Sequence, residues 1–206
     1  MSQIALPFEW PADEHEGDFI ISDANRLVAR HLDHWALWPV MATIITGPRK
    51  SGRSLLGRIF ARKTGGTLID DAERTSEEAL FHAWNRAQEE HRPLIVIADA
   101  APPTWRIRLP DLRSRLAATP HVAIAEPDDE LAAALIEKLI GARGVASPPD
   151  LARYLLPRIE RSYVGIHRIV DALDELALAS RHRITLPLAR KALASIGVID
   201  DSSFAR

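Results

Sequence analysis

The sequence predicts an α/β protein, with a parallel sheet flanked by helices and a small all-helical domain after it. Three observations support this fold class. Short β-branched apolar runs alternate with segments of helical periodicity through the larger part of the chain, which is typical of a parallel sheet covered on both faces. A glycine-rich loop at residues 47–54 joins the first of these runs to a helix. Beyond Gly144 only helical periodicity remains.

The composition is that of an ordinary globular protein, with 47% hydrophobic and 26% charged residues among 206. A formal net charge of −2 gives no overall attraction to nucleic acid, so any DNA contact would have to be local. The absence of cysteine excludes disulfides, thiolate metal sites and cysteine nucleophiles. No apolar run approaches the ~20 residues of a membrane span, and the first residues lack a signal-peptide pattern. We therefore expect a cytoplasmic protein that makes no membrane contact.

The predicted elements follow one another with short connections. A helix from Ser22 to about Trp38 comes first, capped by Ser22 or Asp23. Strands are predicted at residues 41–46, 67–69, 94–98 and 122–125, with helices at 54–63, 75–90, 109–118 and 128–140, the last capped by Asp128. Three further helices are predicted at about 150–160, 163–181 and 186–197. The predicted domains are therefore an extended arm (1–17), an α/β domain (18–143) and an all-helical domain (147–206).

The loop at residues 47–54 reads Gly-Pro-Arg-Lys-Ser-Gly-Arg-Ser and lies between a strand and a helix. Its glycines allow backbone N–H groups to converge on phosphate oxygens, and the following helix adds its amino-terminal dipole. Ser54 is placed to ligate Mg²⁺, while Arg53 replaces the usual lysine with a planar group that can still pair with phosphate. A plain glycine turn is the alternative that stays open. The predicted nucleotide-binding residues of the loop are Gly47, Gly52, Arg53, Ser54 and Leu55.

Acidic residues end the next two strands. Asp70 and Asp71 follow the strand at 67–69, and Asp99 follows the strand at 94–98. Beside a phosphate-binding loop, Asp70 is expected near Mg²⁺ and Asp71 in the place of the acid that orients water. Asp99 is placed to sense the terminal phosphate. A helix cap or solvated edge is the alternative for the acidic pair, and an ordinary turn residue is the alternative for Asp99.

Two arginines, Arg113 and Arg115, lie in the segment Leu-Pro-Asp-Leu-Arg-Ser-Arg-Leu at residues 109–116. Their spacing alone favours solvated charges. The alternative is an arginine finger that completes the nucleotide site of a neighbouring subunit, because an arginine supplied in trans stabilises transition-state charge.

Together these motifs resemble the AAA+ module of the DnaA family of bacterial replication initiators. They resemble more closely its shortened relatives, the Hda family (HdaA in alphaproteobacteria), which are regulatory inactivators of the initiator. The resemblance covers nearly the whole chain, and its most specific piece is the arm. Gln3-Ile-Ala-Leu6-Pro-Phe8 is similar to the peptide by which Hda proteins bind the replicative sliding clamp. Such a peptide binds in an extended form, with Gln3 making polar contacts and Leu6 and Phe8 filling an apolar pocket.

The resemblance also implies roles for other segments. The Gly-Arg-Ser end of the loop occurs in Hda proteins. Residues 109–116 resemble the family's box VII, which places the arginine finger at Arg115 and reverses the preference drawn from spacing. Phe19, Ile20 and Asn25 match the segment that packs near the adenine.

Two departures from the family pattern bear on fold and chemistry. Few residues separate the loop's helix from Asp70, so the sheet is expected to have four or five strands. Val164 takes the place of the second-sensor arginine, with Arg161 and Arg168 as the nearest substitutes. This departure puts ATP hydrolysis by the chain itself in doubt.

The resemblance implies a regulatory adaptor with weak or no ATPase activity of its own. It would bind the sliding clamp, and DNA through the clamp, hold ADP or ATP with Mg²⁺, and stimulate ATP hydrolysis by the initiator DnaA, which prevents over-initiation of replication. A homo-oligomer is a further expectation. Two alternatives stay open: an ATPase acting by itself as an oligomeric DNA-processing factor, and a scaffold that no longer binds nucleotide.

Overall fold

A computed structural model of the chain describes residues 19–180 and 183–198. The predicted arm, with Gln3, Leu6 and Phe8, lies outside the described residues. The described part alternates strands and helices and then continues as helices alone. Its elements are α1 (Arg26–Asp33), β1 (Ala42–Thr46), α2 (Arg53–Thr64), β2 (Thr67–Ile69), α3 (Glu77–Glu90), β3 (Leu94–Ile97), α4 (Pro110–Ala118), β4 (His121–Ala123), α5 (Asp129–Ala142), α6 (Leu151–Leu155), α7 (Tyr163–Ser180) and α8 (Leu186–Ser195).

The four strands form one parallel sheet in the order β2-β3-β1-β4. This confirms the predicted parallel sheet, which has four strands rather than five. β1 and β3 lie in the middle and are buried along their whole length, which explains their continuous apolar sequences. All four carboxyl ends lie at one edge of the sheet, where ligands bind in open α/β folds.

Side chains of the central strands alternate between two helical layers. Val96 of β3 packs in the cluster that contains Leu80 of α3 and Leu116 of α4. The residues on either side of Val96 along the strand point to the other face of the sheet, so Ile95 packs with Phe60 of α2. The sheet is therefore covered by α3 and α4 on one side and by α1 and α2 on the other.

Helices α5 to α8 share a second core. Ile136 and Ile140 of α5 pack in the same cluster as Leu155 of α6 and Ile166 of α7. Asp128 caps α5 as predicted, because its carboxylate accepts a hydrogen bond of 2.7 Å from the N–H of Leu131. Thus α5 packs with the helical domain, although the sequence-based boundary was placed after it.

Two predicted helices are shorter than their periodicity indicated. α1 ends at Asp33, and a 3-10 turn at Trp35–Leu37 follows it. This turn buries Trp38, whose ring stacks on His31 at 4.8 Å and whose Nε1 donates to the His31 carbonyl. α6 gives way to a 3-10 turn at Leu156–Arg158, where Pro157 lacks the N–H that a longer helix needs. Among the described residues, no helix is long and apolar enough to cross a membrane.

Candidate nucleotide-binding site

A cleft of about 1030 Å³ lies between the carboxyl edge of the sheet and the helical domain. One part of its wall is apolar and is formed by Phe19, Ile20, Leu131, Leu135 and Val164. The other part is formed by residues 49–55 and by charged side chains that follow β2 and β3. A cleft of this size with one apolar and one polar wall suits a ligand that has both an apolar and a charged end.

Close packing explains both glycines of the loop between β1 and α2. A Cβ on Gly47 would lie 2.9 Å from the Cβ of Ile124. Gly52 has a φ of 83°, and a Cβ there would lie 3.1 Å from the ring of Phe19. The 12-residue helix α2 then begins at Arg53, so its amino end and the half-buried Ser54 and Leu55 border the cleft. The loop therefore has the geometry of an anion site at a helix amino terminus.

Arg53 is folded into the edge of the sheet, with only 11% of its side chain exposed. Its Nη1 donates to the carbonyls of Gly47 (2.7 Å) and Ala98 (3.0 Å), and its Nη2 forms a close ion pair with Asp99. The hydrogen bond from Arg53 holds the pKa of the Asp99 carboxyl below its usual value. Arg53 thus joins the start of the loop to the end of β3.

The acids after β2 have separate contacts. Asp71 borders the cleft with a left-handed φ of 48°, a conformation that non-glycine residues adopt mainly where a local constraint requires it. Glu73 accepts hydrogen bonds from the N–H groups of Asp99 (2.5 Å) and Ala100 (3.1 Å). Asp70 lies outside the described lining, and its Oδ1 accepts from the N–H of Asp71 at 3.0 Å. Asp71 is therefore the member of the predicted pair that reaches the cleft.

The charged wall is strongly basic. Six cationic and three acidic side chains line the described cleft, in a chain whose formal net charge is −2. Of the six cations, sequence reasoning had assigned only Arg53 to the site, although Arg58 lies one helical turn after Ser54, which is a readable signal. The six cations are Arg49, Lys50, Arg53, Arg58, Arg74 and Lys138, and the three acids are Asp71, Glu73 and Asp99.

The apolar wall is held by buried polar contacts. Asn25 is buried and donates from Nδ2 to the carbonyl of Ile20 at 2.8 Å, while its Oδ1 accepts from the N–H of Ser22 at 3.0 Å. The hydroxyl of Tyr163 donates to the carbonyl of Ala125 at 3.0 Å, and the N–H of Ala125 donates to the carbonyl of Ala24, the neighbour of Asn25. Burial, with the nearby carboxylates of Glu126 and Asp128, raises the pKa of Tyr163 to about 12. The contacts of Asn25 and Tyr163 therefore hold this wall in place before a ligand arrives.

Val164 borders the cleft and is 46% exposed. Of the two arginines considered as substitutes for it, Arg161 pairs with Asp129 at 3.4 Å and Arg168 donates to the carbonyl of Ile196 at 3.0 Å. Both lie outside the described lining of the cleft. His167, which sequence reasoning missed, borders it instead.

Arg115 lies on α4, also outside the cleft's described lining. Its guanidinium carbon is 4.7 Å from the ring centres of both Phe81 and Trp84 of α3. Trp84 donates from Nε1 to the Thr119 hydroxyl (3.1 Å), which donates in turn to the carbonyl of Arg115 (2.8 Å). Arg115 is therefore held on the surface formed by α3 and α4.

Glu77 of α3 holds the backbone that leads into α4, the helix that carries Arg115. Its carboxylate accepts hydrogen bonds from the N–H groups of Arg108 (2.9 Å) and Leu109 (2.6 Å), just before α4 begins. These backbone hydrogen bonds lower the pKa of Glu77.

The donor set near the loop fits Mg²⁺ only when phosphates share its ligation. Among the described residues, no group of three or more histidines or acids could hold a metal ion by itself. Nucleotide-borne Mg²⁺ needs only one or two protein oxygens, because phosphates and water supply the rest. Ser54 and Asp71 both border the cleft and carry such oxygens.

Solved structures with the same architecture include two replication initiators and a motor protein. Domain III of the Thermotoga maritima replication initiation protein DnaA is 14% identical, with a TM-score of 0.71 over 87% of this chain and 95% of that one. AMPPCP-bound DnaA from Aquifex aeolicus is 16% identical, with a TM-score of 0.63 over 89% and 68%. The Thermotoga maritima RuvB Holliday junction branch migration motor is 15% identical, with a TM-score of 0.66 over 91% and 74%. At these identities the likeness shows the fold, which is that of AAA+ proteins.

Residues 128–193 match the family model described as the Hda lid domain. This part of the chain is similar to the Hda lid domain, and the fold as a whole is similar to that of domain III of DnaA. The match to the Hda lid begins at Asp128, the residue that caps α5. It therefore includes α5, in agreement with the packing of this helix against α6 and α7.

Proposed function

We propose that this protein is a nucleotide-holding regulatory adaptor that stimulates ATP hydrolysis by the initiator DnaA. The Hda lid and the DnaA-like fold support the coarser assignment to a DnaA-related regulator of replication. The finer proposal depends on one observation: Arg115 is held on the α3–α4 surface, while the chain's own cleft lies elsewhere. This arrangement favours action on a partner's site.

The cleft supports nucleotide binding. Its basic wall suits phosphates, its apolar wall suits a base, and two DnaA structures of the same fold are described as bound to AMPPCP. Residues 47–55 would hold the phosphates, with Asp99 near the terminal one, and Phe19 and Ile20 would contact the base. Mg²⁺, when bound, would neutralise phosphate charge beside Ser54 and Asp71, whereas Asp70, the acid predicted to lie near the ion, is outside the described lining of the cleft. The resemblance to Hda favours ADP over ATP as the resident nucleotide.

Arg115 is suited to a role in trans. Contact with two rings keeps the guanidinium half-buried and limits its rotamers, so little side-chain entropy remains to be lost on docking. An arginine inserted into the nucleotide site of a partner is worth about 10³–10⁵ in hydrolysis rate. In this proposal the arm, through Gln3, Leu6 and Phe8, holds the protein on the DNA-loaded clamp and brings Arg115 to DnaA.

The decisive experiment compares two arginines on one helix. Arg115→Ala should abolish stimulation of DnaA ATP hydrolysis in the presence of clamp and DNA, measured as phosphate release. Arg113→Ala is the matched control, because Arg113 is exposed on α4 two residues earlier. Equal stimulation by Arg115→Ala and the unchanged protein would overturn the proposal.

A second experiment tests recruitment. Gln3→Ala should weaken clamp binding by the intact chain, measured by surface plasmon resonance. The same change should lower the stimulation of DnaA ATP hydrolysis in assays that contain the clamp and leave it unchanged in assays without the clamp. Retention of full clamp affinity would contradict the role proposed for the arm.

A second candidate function is ATP hydrolysis by the chain itself. The observation that favours it is the presence of Asp71 and Ser54 at the same cleft. Substantial turnover by the purified protein, abolished by Asp71→Asn, would support this reading over the adaptor.

A further inference from the structure

The lid contributes three residues of α7 to the described lining of the cleft: Tyr163, Val164 and His167. The hydroxyl of Tyr163 already donates to the carbonyl of Ala125, and Val164 has no polar group. His167 is half-buried, and neither of its ring nitrogens has a hydrogen-bond partner among the described residues. Of these three α7 residues, it is therefore the one with unused hydrogen-bonding capacity.

The surroundings of His167 are mainly cationic. Burial, and then Lys50 of the phosphate loop, lower its pKa; Asp171, one turn further along α7, acts in the opposite direction, and Arg143 at the end of α5 lowers it again. Lys138 of α5 borders the same cleft. Because its pKa is lowered, the imidazole is mainly neutral at pH 7 in the chain alone, and Lys50 is one of the charges that act on it.

We propose that His167 is the contact of the lid with the phosphate tail of the bound nucleotide, as a hydrogen-bond donor that becomes protonated when the ligand binds. The proposal rests on the proposed nucleotide binding and adds the lid residue that recognises the ligand. Burial is the main cause of the lowered pKa of His167, and Lys50 adds to it; an anionic phosphate near Lys50 offsets that second cause and pairs with the charged ring, which favours the charged form. Binding of the ligand and uptake of a proton by His167 are then linked.

This linkage predicts that His167 strengthens nucleotide binding more as the pH falls. From the strength of hydrogen bonds to charged groups, a gain of at least about tenfold in affinity is expected when the ring is charged. The nucleotide's own phosphate also titrates near pH ~6. That effect is common to all variants and cancels when variants are compared.

The test is calorimetry of the full chain with Mg²⁺–ADP at about pH 6 and about pH 8, around the ordinary pKa of histidine. Relative to His167→Phe, the unchanged protein should bind ADP about tenfold more tightly at the lower pH, with a smaller difference at the higher pH. His167→Gln, which keeps a neutral donor, should match the unchanged protein at the higher pH and lose the gain at the lower one. His82→Gln, a change of an exposed histidine on α3, is the control and should behave as the unchanged protein.

Two further outcomes separate this proposal from the one on which it rests. ADP binding should take up a proton near neutral pH, seen as a dependence of the binding heat on buffer ionisation, and His167→Gln should lose that uptake. If the unchanged protein and His167→Phe bind ADP with the same pH dependence, His167 is not the contact, although nucleotide binding stands. If the unchanged protein binds no ADP at either pH, the proposed nucleotide function itself fails.

Discussion

At the scale of single residues, Arg53 shows how one side chain can join two strands and a loop. Its planar guanidinium donates to two carbonyls and pairs with Asp99 while nearly buried. A lysine ammonium presents its donors from one point and cannot reproduce this planar arrangement. The arginine that looked like a departure from the usual loop sequence is therefore also a structural residue of the sheet edge.

Arg53→Lys should lower the free energy of unfolding by about 1–2 kcal/mol, since one or two of the three hydrogen bonds are lost. Urea denaturation measures this difference. Arg113→Lys, at an exposed position on α4, should change it by less than about 0.5 kcal/mol. Equal stabilities for all three proteins would show that the Arg53 contacts contribute nothing to folding.

At the scale of elements, α3 supports α4 at both ends of the surface that carries Arg115. Glu77, in the first turn of α3, holds the backbone before α4, and Trp84, two turns later, contacts the guanidinium of Arg115 itself. The orientation of α4 therefore depends on side chains of α3 more than on its own sequence.

Glu77→Ala should speed amide hydrogen exchange at the start of α4, because two backbone donors lose their acceptor. Glu78→Ala, at the adjacent exposed position, is the control and should leave exchange unchanged. Since the pKa of Glu77 is lowered in the folded protein, its contribution is present above the carboxyl's ordinary pKa and is lost as the pH falls through the folded value. If amide hydrogen exchange at the start of α4 were the same with and without Glu77→Ala, this role would be contradicted.

The element scale also shows what the sequence could predict. Buried runs such as Leu94–Ile97 and the loop at residues 47–54 are local signals, so the strands, the phosphate loop and the cap at Asp128 were predictable. The pairing of Arg53 with Asp99 was not, because it depends on β3 lying beside β1 in the sheet. His167 and Lys138 could not be assigned either, since their place at the cleft depends on how the lid packs.

At the scale of the whole molecule, the lid is tied to the rest through α5. Arg143 near its end pairs with Asp171 at 2.5 Å and with Asp174 at 3.5 Å, both on α7. Together with the shared apolar core, these ion pairs hold α5 against α7. A ligand that contacts α7 therefore also acts on the helix that follows β4.

Two histidines whose pKa is lowered in the folded protein, His31 and His121, make the stability of the whole fold depend on pH. Burial lowers the pKa of His31 and of His121 below the ordinary value of 6.5. Below that value the unfolded chain binds protons that the folded chain does not, so the free energy of unfolding should fall as the pH drops. Thermal unfolding between about pH 5 and pH 8 measures the slope. The double change His31→Gln and His121→Gln should flatten it, whereas a slope unaffected by the double change would refute the assignment.

The position of β3 between β1 and β2 has a consequence for the width of the nucleotide site. Neighbouring strands lie about 4.8 Å apart, so the acids that follow β2 are offset by about 10 Å from the end of the strand that leads into the loop. That gap is wide enough for a phosphate group and a hydrated cation side by side. The order of the strands thus sets the distance between the acids that follow β2 and the loop that follows β1.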